Sequence, residues 1–175
     1  QVVFSDESSI HILDDRSQRV HRRVGEEFHK DCVVQQVKHP LSVMVWGAIS
    51  VHGVSRLHIV EGTMRQDQYQ KVLATRLPPQ IREWFGDEAD AVAFQQDSAP
   101  CHVAKKVKEF NRQQGLRLLD WPGNSADMNP IENIWKMLKD KMNHENVITN
   151  KRQLMERMLE VWFHDQQLKD CAQSM

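Results

Sequence analysis

At residue 64 the period of the apolar residues changes, and that change limits the folds open to the chain. Before it, short apolar and β-branched runs bounded by turn formers read as strands: 1–6 (QVVFSD), 18–24 (QRVHRRV), 41–50 (LSVMVWGAIS) and, after the turn VHG, 55–62 (SRLHIVEG). Their short connections predict an antiparallel meander. Beyond residue 64 the spacing is helical. Tyr69, Val72, Leu73 and Leu77 share one face of a helix over 64–77, which Pro78 and Pro79 are expected to stop. Residues 80–90 read as a short helix and loop, and 91–96 (AVAFQQ) as a fifth strand. A helix over 102–115 follows, with Val103, Val107 and Phe110 on one face and Gly115 as its C-cap signal, and then a short strand over 116–121. The turn-rich loop 122–129 leads into a helix over 130–142, with Asn129 as N-cap and Pro130 at its first position. A last helix over 151–168 carries Leu154, Met158, Val161 and Trp162 as an apolar stripe.

Composition narrows the function. A chain of 175 residues, 40% hydrophobic and 27% charged, has the balance of one globular domain. No run approaches the ~20 apolar residues a bilayer requires, and QVVFSDESS lacks the basic start and apolar core of a signal peptide. An intracellular protein with no membrane partner is expected. Cys32, Cys101 and Cys171, odd in number and scattered, are expected to be reduced thiols. The nine histidines include no H-x-x-x-H spacing and the chain no C-x-x-C, which disfavours zinc. A formal net charge of −1 is not that of a self-sufficient nucleic-acid-binding domain. The basic runs at 21–23, 105–108 and 136–142 read first as solvated faces.

Three carboxylates sit at the ends of elements. Asp97, in FQQDSAPCH, leaves the fifth strand into a proline turn, Asp6 lies on the first strand, and Glu132 is in the first turn of the helix after Asn129. Each has a plain structural role open to it: Asp97 as a turn former, Glu132 in a capping-box variant, and Asp6 as the close of a strand, with Glu7, Asp14 and Asp15 near enough to be mistaken for it. Five strands followed by alternating helices and strands describe an α/β domain, a mixed five-stranded sheet flanked by helices, the pattern of an RNase H-like fold. With the first strand central in that sheet, the three acids converge at one edge. Converging carboxylates suit magnesium or manganese, which take hard oxygen ligands, and phosphoryl transfer often uses two such ions ~4 Å apart.

The stretches SDES (5–8), VMVWGAIS (43–50), FQQDSAPCH (94–102) and LDWPGNSADMNPIENIWKMLK (119–139) together resemble the catalytic domain of Tc-type/mariner superfamily DDE transposases. The 34 residues between Asp97 and Glu132, 98 to 131, match that family's DD34E spacing. The resemblance runs along nearly the whole chain, 1–175, as a single catalytic domain, with paired helix-turn-helix domains expected upstream. It implies that Asp6, Asp97 and Glu132 bind two Mg²⁺ ions, with Mn²⁺ able to substitute, Asp6 bridging and the other two completing one site each. It further implies hydrolysis at transposon inverted-repeat ends and attack of the freed 3′-hydroxyl on a TA target. A homodimer in the synaptic complex, or a monomer for this piece alone, and a nuclear location follow from the same source. His102, Asn129, Lys105 and Lys106 are the candidates for contacts behind the acids or with DNA, and the stretch 62–90 for partner- or DNA-contacting insertions. Ser98 departs from the family's usual Asn.

Two other readings stay open. One is a different RNase H-like nuclease, against which NPIENIW and the 34-residue interval speak. The other is a domesticated transposase-derived module for dimerisation or DNA association, which an intact triad disfavours. No G-x-S-x-G elbow supports a serine hydrolase.

Overall fold

The computed structural model describes residues 1–11, 41–122, 125–143, 148 and 150–174. The strand expected over 18–24, Asp14, Asp15 and Cys32 lie outside them, while Cys101 and Cys171 are free thiols. Among the described residues no helix is long and apolar enough to cross a membrane.

Strands β1 (Val2–His11), β2 (Ser42–Ser50), β3 (Gly53–Val54), β4 (His58–Val60) and β5 (Ala93–Gln95) form one mixed sheet. β1 lies between β2, its antiparallel partner, and β5, which runs parallel to it, while β3 and β4 both pair with β2. The antiparallel pairing of 41–50 with 55–62 is as the sequence predicts and β1 has a strand on each side, but β1 pairs directly with β2, where the expected meander put 18–24 between them. The membership of the five differs, because 55–62 contributes only the three residues of β4, and the two-residue β3 joins it. The strand expected over 116–121 is a single parallel bridge, Phe94 to Leu118.

β2 is apolar on both faces because both are covered. Val43, Val45 and Ile49 face a core shared with α4 (Ile131–Asn143), α5 (Lys151–His164) and α6 (Gln166–Gln173). Trp46 and Ala48 face a second core, built with α1 (Gln66–Thr75) and α2 (Leu77–Phe85), to which Val107 of α3 (Lys105–Gln113) also belongs. The stretch 62–90 is therefore largely scaffold: Tyr69, Val72, Leu73, Leu77, Ile81 and Phe85 are all buried in it.

Three helix boundaries depart from expectation and one, at Gly115, agrees with it, each for a local reason. Pro78 and Pro79 do not stop α1, which ends at Thr75; they stand in the first turn of α2, where a missing N–H costs nothing. Val103 is 39% exposed because 99–104 is a turn and α3 starts only at Lys105. Gly115 does close α3, at φ +64°, with its N–H donating to Arg112 and that of Leu116 to Asn111, a Schellman pair. The last helix breaks at Asp165, whose carboxylate accepts from the Leu168 N–H and starts α6.

The tightest contact between sheet and helices is at Gly47. Trp135 of α4 and Trp162 of α5 stack with ring centroids 5.0 Å apart directly over it. A Cβ at position 47 would stand 2.9 Å from Trp135 Cη2 and 3.2 Å from the Trp162 ring. Gly47→Ala is therefore expected to lower stability by about 1–3 kcal/mol, as overpacked cores do, measured by urea denaturation. An unchanged midpoint would show that the stacked pair shifts freely.

Candidate active site

Register brings the first two acids level. In the parallel β1–β5 pair Phe4 stands opposite Gln95, so two residues further along each chain are Asp6 and Asp97. The third arrives on α4, whose start is tied to both strands: Asn129 Nδ2 donates to the Ser5 carbonyl at 3.2 Å and to Gln95 Oε1 at 3.3 Å. Asn129 Oδ1 also accepts from the Ile131 N–H, so the expected N-cap and the anchor to the sheet are one side chain. Asp6, Asp97 and Glu132 line one cleft of about 360 Å³, together with Gln95, Ser98 and Trp121. Among the described residues the Glu132 side chain takes no hydrogen bond, so the capping-box return is not made and its carboxylate is left to the cleft.

The cleft is electrostatically strained without a cation. Burial, with the charges of Glu7, Glu132 and Asp97 adding to it, raises the Asp6 carboxyl from 3.8 to about 7. Asp6 has one donor on the helix side, Trp135 Nε1–H to Oδ2 at 3.2 Å. Asp97 is treated oppositely: the hydrogen bond from His102 holds it below its ordinary value against partial burial. His102 itself is buried, which alone lowers its pKa, but hydrogen bonds to Asp97 and Glu7 outweigh that and raise it to about 9. A set of carboxylate oxygens around one anionic cleft fits magnesium or manganese rather than zinc. Among the described residues no group of three His, Cys, Asp or Glu side chains is close enough together to hold an ion.

Of the other sequence candidates, His102 and Asn129 sit against the acids, and Lys105 and Lys106 do not. The two lysines line a separate open groove on α3 with Lys108 and Arg112, and Lys106 pairs with Asp67 at 2.5 Å. Sequence reasoning did not single out Trp135 and took Glu7 only as a neighbour of Asp6. The signal for Trp135 was its place three residues after Glu132, which puts both on one helix face.

A family model described as "DDE superfamily endonuclease" matches residues 1–155. The chain belongs to that family. Among relatives of this chain, the "Transposable element Tcb2 transposase" of Caenorhabditis briggsae is 35% identical over 162 residues, covering 91% of the chain and 58% of the relative. The "Transposable element Tc3 transposase" of Caenorhabditis elegans is 31% identical over 180 aligned positions, 100% of the chain and 53% of the relative. The chain thus spans about half the length of the curated relatives it matches. In the Mos1 mariner paired end complex with Mn, the fold superposes with a TM-score of 0.75 at 15% identity, over 99% of this chain and 50% of that one. The isolated Mos1 mariner catalytic domain gives 0.66 at 16% identity, over 94% of this chain and 70% of that one. The mixed sheet with flanking helices is the RNase H-like fold of that domain.

The raised pKa of Asp6 sets a pH dependence of stability. Its folded pKa, about 7, lies above the unfolded 3.8, so its stabilising contribution is fully present below about pH 4 and is lost as pH rises through about 7. Asp6→Asn is expected to flatten that loss and to raise the apo melting temperature above about pH 7, a gain on the order of 1–3 kcal/mol. Parallel melts of the two proteins across that range, with chelator present, check it; identical pH profiles would mean Asp6 is not strained.

Proposed function

We propose that this chain is the catalytic domain of a Tc1/mariner-type cut-and-paste DNA transposase, acting by phosphodiester hydrolysis at transposon inverted-repeat ends and transfer of the freed 3′-hydroxyl into TA target DNA. The observation that carries the reading is the delivery of Asp6, Asp97 and Glu132 by three separate elements to one cleft, in a DDE-family chain. The Mos1 structures in paired-end and strand-transfer complexes, with Mn or Mg, support the same chemistry here.

Asp6, Asp97 and Glu132 would hold the divalent Mg²⁺ or Mn²⁺ ions in this proposal, as carboxylates lining one cleft. When bound, the ions supply Lewis-acid activation of the attacking oxygen and charge stabilisation of the leaving oxygen. The protein's own part is orientation. Trp135 fixes Oδ2 of Asp6, Asn129 locks the start of α4 to β1 and β5 so that Glu132 faces the cleft, and burial keeps the Asp6 carboxylate poorly hydrated and ready to take a cation. No side chain forms a covalent intermediate. With a net charge of −1 the domain binds DNA weakly by itself, and end recognition belongs to helix-turn-helix domains upstream. The working assembly is nuclear and dimeric, since two ends must be held together.

Calorimetry with Mn²⁺, with and without a short DNA duplex, tests this on the wild-type chain and Asp97→Asn. Saturable binding that the substitution abolishes is expected. Loss of Asp97 or Glu132 is expected to reduce metal-dependent strand cleavage by more than the about 10–100-fold that losing an outer partner costs. Wild-type chain that binds no Mn²⁺ in either condition would sink the competent active site.

A further inference from the structure

Glu7 follows Asp6 on β1, and on a strand successive side chains point to opposite faces. Asp6 turns toward α4, while Glu7 turns into the other layer, where its side chain is only 13% exposed. A carboxylate placed there needs a buried donor, and it has one in His102, itself 3% exposed. The imidazole spans two acids: Nε2 lies 3.1 Å from Glu7 Oε1 and Nδ1 lies 2.6 Å from Asp97 Oδ1. Both ring nitrogens lie within hydrogen-bonding distance of a carboxylate oxygen, so the ring links the two acids. Tyr69, wholly buried, lies against the ring with centroids 3.9 Å apart, and its hydroxyl donates to Gln96 Oε1 at 2.8 Å, so the ring is held from its face as well as from its edges.

The consequence falls on Asp97. Its Oδ1 accepts two hydrogen bonds, from His102 Nδ1–H and from the Ala99 N–H at 2.9 Å, which uses that oxygen's lone pairs. Oδ2 takes no hydrogen bond among the described residues, and the side chain remains 49% exposed toward the cleft. We propose that Glu7 and His102 are positioning residues that hold Asp97 as a one-oxygen metal ligand, with Oδ1 committed to the protein and Oδ2 to the ion. The proposal rests on the reading of Asp97 as a ligand. It gives the acid next to Asp6 a role of its own: Glu7 anchors the far end of the imidazole and so sets the rotamer of an acid just beyond the end of β5.

Four variants test it by Mn²⁺ calorimetry with a short duplex present. His102→Phe keeps the ring against Tyr69 and removes both donors, and is expected to weaken Mn²⁺ binding about 10–100-fold. Glu7→Leu removes the anchor and Glu7→Gln keeps an acceptor for Nε2–H at the same change of charge, so the leucine variant is expected to lose affinity and the glutamine variant to retain most of it. Asp97→Asn abolishes binding. Infrared difference spectra of Mn²⁺-loaded protein labelled with ¹³C-carboxyl aspartate report the ligation itself. The wide splitting of the carboxylate stretches from one-oxygen binding is expected in the wild type and a narrower one in His102→Phe, an effect a purely structural histidine would not produce. If His102→Phe fails to fold, the two Glu7 variants decide the matter. Glu7→Leu with wild-type affinity and splitting overturns the positioning role while leaving Asp97 a ligand; Asp97→Asn with wild-type affinity overturns the ligand reading itself.

Discussion

Two adjacent carboxylates stand at the middle of a strand that has a partner on each edge and a helical layer on each face, and the surrounding structure is organised by the need to compensate them. A buried carboxylate costs several kcal/mol unless it is paired or hydrogen-bonded. The two acids are compensated differently. Glu7 receives an imidazolium and is neutralised within the protein. Asp6 receives an indole N–H and no cationic partner among the described residues, so it is oriented without its charge being cancelled, and its carboxyl is pushed up to about 7. One acid is thereby closed off and the other kept hungry for a cation, although they are neighbours in sequence. The strand's alternation makes that division possible, because it sends them to separate layers.

The indole depends in turn on the sheet. Trp135 reaches Asp6 because α4 packs against β2 at a position with no side chain, Gly47, which stands opposite Asp6 in the β1–β2 register. α4 carries Glu132 and Trp135 three residues apart, so one rigid element delivers an acid to the cleft and a donor to a second acid. Packing and site geometry are here the same contact.

Much of this was legible in the sequence where a local rule decides the outcome. The change of period at residue 64 separated sheet from helices, the 151–162 stripe is buried as its spacing requires, and the acids at element ends do meet in one cleft. What escaped the sequence depends on contacts far apart along the chain. Glu7 looked like a near-duplicate of Asp6, because its partner His102 lies 95 residues away. Trp135 carries the ordinary mark of a core residue, and nothing local says that its N–H reaches β1. The prolines at 78–79 were read by their power to end a helix rather than to begin one, and Asp165 was passed over as a cap because the apolar pattern continues past it. The segment 116–121 has the composition of a strand but pairs only at Leu118.

That single bridge bears on how the interval between the second and third acids is measured out. Phe94 donates to Arg117 and accepts from Leu119, both at 2.8 Å, so the chain returns to β5 partway along its course from Asp97 to Glu132. The 34 residues are therefore two tethers joined at a pin: an outbound loop through α3, and a return span from Leu119 to the Asn129 anchor. A residue gained or lost in the outer turn of the first tether is absorbed before the pin, at the loop's surface. The second ends at the Asn129 anchor, which ties the start of α4 to β1 and β5. The family's spacing thus acts as a ruler with one free end and one fixed end, and only the fixed end calibrates the active site.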